Sequence, residues 1–73
     1  MAQAIYRMTD AEWAEVKDWF HETHWQREED GTLTVAVMGH PGMLHNLEMK
    51  LGEDRRVDRL PDANRRHPLL RMW

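Results

Sequence analysis

The chain contains no cysteine and no serine. Without cysteine there are no disulfides and no thiolate metal sites, so packing alone must brace the fold. Without either residue, the two commonest side-chain nucleophiles are missing. Lysine is scarce too, two against eight arginines, a ratio that recognition chemistry and GC-rich coding would each produce.

Long hydrophobic runs are also lacking. No stretch approaches the roughly 20 apolar residues needed to span a bilayer, and the opening "MAQAIYRMTDAEW" has no basic region followed by a long apolar run. A cytoplasmic location with no membrane partner is the expectation. The 73 residues make one domain at most, and a core of that size leaves only about 3–5 kcal/mol of net stability. A deep, water-excluding active site does not fit such a body.

Charge is unevenly distributed. From Met1 to Gly52 four basic residues (Arg7, Lys17, Arg27, Lys50) face nine acidic ones, a net of −5. From Glu53 onward six arginines face Glu53, Asp54, Asp58 and Asp62, a net of +2, and no side-chain acid follows Asp62. The sequence describes an acidic body, 1–52, and a basic, proline-containing tail, 53–73, an asymmetry that favours interaction at the tail.

"TDAEWAEVKDWFHET" is the strongest element. Thr9 followed by Glu12 fits a capping box, and Asp10 and Glu12 sit where the helix dipole favours negative charge. Trp13, Val16, Trp19 and Phe20 share one helical face, with Glu15, Asp18 and Glu22 opposite. The spacing predicts an amphipathic helix over 10–22. Asp30-Gly31 suits a type I′ hairpin turn, with Leu33, Val35 and Val37 alternating onto one face. The partner strand is the preceding "HWQREE", which places Trp25 and Arg27 on one side. "AIYRM" at 4–8 offers a further short strand. "MLHNLEMKLG" fits both periods: Leu44, Leu47 and Leu51 before Gly52 suit a helix, whereas Leu47, Met49 and Leu51 alternate as a strand would. Gly52 tips the choice toward helix. The expected fold class is α+β, one amphipathic helix packed on a small antiparallel hairpin or sheet.

Candidate chemistry is thin. In "HETH", His21 and His24 lie three apart, a spacing that sets two imidazoles on one helix face, with His40 and His45 as further donors. The metalloprotease pattern requires histidines four apart, so no metal is assigned. Glu28, Glu29 and Asp30 precede a glycine turn, where solvent leaves no reason for a raised carboxyl pKa. "GHPG" lacks the lysine and glycine spacing of a phosphate cradle. The chain is read as a non-enzyme with no cofactor and no small-molecule substrate.

The tail "NRRHPLLRMW" carries the remaining signal. Arginine and tryptophan are the residue types most often found as interface anchors, and prolines 61 and 68 lower the cost of ordering an unbound segment. Arg55, Arg56, Arg65, Arg66, Leu69, Leu70, Arg71 and Trp73 are the candidate partner-binding residues. Docking of Leu69, Leu70 and Trp73 onto the chain's own core is the competing reading. Nucleic acid is a third: the arginines, Arg59 included, could neutralise phosphates and Trp73 could stack on a base, against the repulsion of Asp54, Asp58 and Asp62.

In its small size, missing cysteine, arginine bias and want of a catalytic constellation, the chain resembles the regulatory proteins with which bacteriophages occupy host machinery. It is similar in length and character to the small RNA polymerase-binding transcription regulators of lytic Xanthomonas phages. The resemblance implies binding to the large β and β′ subunits of bacterial RNA polymerase near the RNA exit channel. It also implies interference with the sigma factor at initiation, antitermination during elongation, and RNA or DNA contact within the complex. An inhibitor of a host defence complex, of the anti-CRISPR kind, and a small nucleic-acid-binding regulator are the alternatives.

Overall fold

The computed structural model describes residues 2–57 of the chain. Three strands, β1 (Ala2–Met8), β2 (Glu22–Arg27) and β3 (Leu33–Gly39), form one antiparallel sheet in the order β1-β3-β2. Two helices, α1 (Asp10–Val16) and α2 (Pro41–Leu51), follow β1 and β3 respectively. The architecture is α+β. Because β3 is antiparallel to both neighbours, β1 and β2 run parallel with β3 between them.

The alternation of β3 decides where the core sits. Leu33, Val35 and Val37 point to one face, where they meet Met8, Tyr6 and Ala4 of β1 as direct cross-strand partners. Val16 of α1 and Leu44 and Leu47 of α2 close over this face, and all of these residues are buried. Trp13, Trp19, Phe20 and Leu51 pack around them partly buried. On the opposite face Ile5 and Ala36 are fully buried, with Val57 packed against them. The central strand is therefore covered on both sides, which explains its nearly continuous apolar run.

Helix α1 begins where the capping box predicts. The Glu12 N–H donates to Thr9 Oγ1 at 3.2 Å and the Thr9 N–H donates to Glu12 Oε1 at 2.8 Å. Its end departs from expectation. The α-helix stops at Val16, a 3-10 turn covers Lys17–Trp19, and Phe20 is extended at φ −115° and ψ 153°. The expected helix over 10–22 is corrected: the α-helix ends at Val16, Phe20 and His21 lie outside any helix or strand, and Glu22 opens β2. From Glu22 onward the backbone is held by β3, in the register Glu22↔Met38 to Arg27↔Leu33. Trp19 and Phe20 still reach the core, so their helical spacing survived as a burial pattern after the helix itself had ended. Phe20 lies against Gly39, where a Cβ would stand 3.3 Å from its ring.

The hairpin is present, but its turn differs from the expected type I′. Gly31 has φ +87°, while among the described residues no non-glycine residue has positive φ. The Gly31 N–H donates to the Glu28 carbonyl at 3.1 Å and the Glu28 N–H to the Thr32 carbonyl at 2.8 Å. This is a three-residue loop closed by a left-handed glycine, which asks positive φ of Gly31 alone and leaves Asp30 unstrained. Asp30 instead accepts from the Thr32 N–H at 2.9 Å and the Thr32 hydroxyl at 2.6 Å.

The segment at 43–51 is helical, and the helix starts two residues earlier, at Pro41. His40 caps it by accepting the Gly42 N–H on Nδ1 at 3.0 Å, proline occupies the first turn, and Gly52 ends it at φ +104°. The chain stays on the body beyond Gly52. A 3-10 turn at Glu53–Arg55 leads to Arg56, which bridges Tyr6 on the outer edge of β1.

Candidate interaction surface

Two of the eight candidate partner-binding residues lie in the described region, and both are bound to the body. Arg55 donates to Glu12 Oε1 at 2.8 Å. Arg56 lies 3.9 Å from Glu48, in a half-buried setting. Arg65, Arg66, Leu69, Leu70, Arg71 and Trp73 lie outside the described residues.

Arg55 also lines an open hollow of about 270 Å³ with Arg7, Met8, Thr9, Asp30 and Thr32. Its charges are matched. Arg7 stands 3.6 Å from Asp30, and Arg55 holds Glu12. The backbone N–H of Thr9 and the Arg55 guanidinium pull the Glu12 carboxyl below its ordinary pKa against a smaller opposing effect of burial. Hydrogen bonds from Thr32 lower Asp30 in the same way, and bonds from the Gln26 amide and the Thr34 hydroxyl lower Glu28. Each of these shifts keeps a carboxylate ionised, which suits structural pairing and opposes use as a proton donor near neutral pH.

The histidines separate. His21 sits at the junction before β2, its backbone N–H donating to the Met38 carbonyl at 3.0 Å, and His24 lies within β2. Helical spacing therefore no longer relates them. His40 is the helix cap, and His45 is exposed on α2. Among the described residues no group of three or more His, Asp or Glu side chains is placed to hold a metal.

The two edges of the sheet are unlike. On β1, Arg56 bridges Tyr6. On β2, the described residues place no strand alongside. The Glu28 N–H donates to the carbonyl of Thr32, the residue just before β3, so by the alternation of an antiparallel ladder the N–H groups of Gln26, His24 and Glu22 also face β3. Those of Thr23, Trp25 and Arg27 face outward. Trp25 is 52% exposed, the largest exposed aromatic side chain among the described residues. It shares a face with Val35, yet α1 and α2 cover the β1–β3 half of that face and leave Trp25 in the open.

The sequence placed Trp25 and Arg27 on one side of a strand but gave no sign that this strand is an edge, since strand order depends on where β1 pairs. Among the described residues no helix is long and apolar enough to cross a membrane. No protein-family model, curated protein or solved structure matches the chain.

Proposed function

We propose that the chain is a non-enzymatic, phage-type regulator that works in the bacterial cytoplasm by binding RNA polymerase through its β and β′ subunits. It inhibits initiation by interfering sterically with the sigma factor, and near the RNA exit channel it favours antitermination. The observation that supports this reading is the division of charge. Among the described arginines, Arg7 and Arg27 of the body pair with Asp30 and Asp10, and Arg55 and Arg56 at the start of the tail pair with Glu12 and Glu48. The sequence after Asp62 offers three more arginines, two leucines and a tryptophan with no side-chain acid. In this reading Arg65, Arg66, Leu69, Leu70, Arg71 and Trp73 form the contact, pairing with polymerase carboxylates and filling an apolar pocket.

Affinity capture from a nuclease-treated bacterial lysate, with the full-length chain as bait, tests the proposal. Recovery of the polymerase large subunits with the sigma factor depleted supports it. Recovery of a defence effector complex, or capture that vanishes with nuclease, overturns it in favour of defence evasion or of direct nucleic-acid binding.

A further inference from the structure

We infer that the outer edge of β2 is a docking site for a basic, extended polypeptide segment, which adds to the sheet as a fourth strand. This surface lies on the body, so the inference does not depend on the tail contact proposed above.

Backbone geometry comes first. Thr23, Trp25 and Arg27 direct N–H and carbonyl groups away from β3, forming a row that a further strand can pair with. No proline or glycine interrupts Glu22–Arg27, and no bulge breaks its register with β3. Natural sheets commonly blunt such edges with proline, bulges or charged side chains, lysine above all; of these, Glu22–Arg27 carries only the charges of Glu22 and Arg27 at its two ends.

Side chains then set the chemistry of the occupant. On the helix-bearing face, half-exposed Trp25 offers an aromatic surface to an apolar side chain of the incoming strand. On the other face the same register aligns Glu22, His24 and Gln26, with Glu28 just beyond. Segment 21–29 carries Glu22, Glu28 and Glu29 against Arg27. Arg27 is engaged already: it lies 3.1 Å from Asp10 and donates to the Gly31 carbonyl at 3.3 Å. Glu28 is held ionised by Gln26 and Thr34. The complementary strand alternates apolar residues toward Trp25 with lysine or arginine toward Glu22 and Glu28.

The test uses the full-length protein and an end-blocked eight-residue peptide of alternating lysine and valine, followed by NMR amide exchange. Saturable protection of the Thr23, Trp25 and Arg27 amides by at least about tenfold is expected, with binding weakened about tenfold or more for an alternating glutamate–valine peptide. A lysine–valine peptide N-methylated along its bonding edge should fail to bind. Thr23→Pro removes only an outward N–H and should cut binding by a similar factor, as should Trp25→Ala if the proline variant does not fold. Perturbations centred elsewhere, or undiminished binding of the N-methylated peptide, would overturn the inference. So would protection of the same amides without peptide: if it grows with protein concentration the occupant is a second copy, and if it persists on dilution the occupant is another part of the same chain.

Discussion

Glu12 accepts on a single oxygen, Oε1, from the Thr9 backbone N–H and from the Arg55 guanidinium, both at 2.8 Å, so one carboxylate closes the start of α1 and anchors a segment 43 residues further along the chain. Local capping and long-range docking therefore share a residue. Arg55 is placed at the same time beside Arg7 in the hollow at the end of β1.

This sharing predicts coupled losses. Thr9→Ala should cost about 1 kcal/mol as a lost helix cap. A double-mutant cycle between Glu12 and Arg55 should return a coupling of about 0.5–1 kcal/mol, since both side chains remain partly solvated. Denaturant unfolding of the four proteins measures it, and zero coupling would mean that the pair is not formed in solution.

Acid should destabilise the fold in a defined window. Glu12, Glu28 and Asp30 all have folded pKa values below the ordinary 4.5 for glutamate and 3.8 for aspartate. A depressed carboxyl pKa contributes stability that is present above the unfolded value and is lost as pH falls through the folded one. Melting temperature should be level from neutral pH to about 5 and decline below about 4.5. A melting temperature that rises on acidification through that range would contradict the hydrogen bonds assigned to these groups.

The hairpin loop makes a third prediction. Gly31 sits at φ +87° with open space where a Cβ would be, so Gly31→Ala carries a backbone penalty and no clash. A loss of about 1 kcal/mol is expected. Asp30→Gly should bring no gain of the kind a type I′ turn would give, because Asp30 already has negative φ.

Core truncations should rank by burial. Leu47, fully buried between α2 and the sheet, should lose about 2–5 kcal/mol as Leu47→Ala, whereas partly buried Trp13→Ala should lose less than the full aromatic cost of about 3–5 kcal/mol. Thermal melts of the two variants compare them directly.

These residues also show what the sequence made legible. Thr9 and Glu12 announced the start of α1 because capping is local chemistry. The end was hidden because Trp19 and Phe20 keep helical spacing while the chain after them pairs with β3, and tertiary pairing overrides a periodic pattern. The start of α2 was missed because histidine is an unusual cap, although Pro41 after it suits a first helical position. At the candidate surface, the partner of Arg55 lies 43 residues away, on α1, and that of Arg56 lies across the Gly52 break, on α2, so helical spacing alone could not pair them. The openness of β2 was equally out of reach, because an edge is a property of strand order.

The most direct test of polymerase binding joins purified full-length protein with purified bacterial RNA polymerase and follows sigma-dependent run-off transcription. A stable complex with the core enzyme and a fall in promoter-dependent transcript of at least about tenfold at saturation are predicted. Unchanged transcription with no detectable complex at about 100 μM protein, well above the micromolar range of weak specific association, would contradict it.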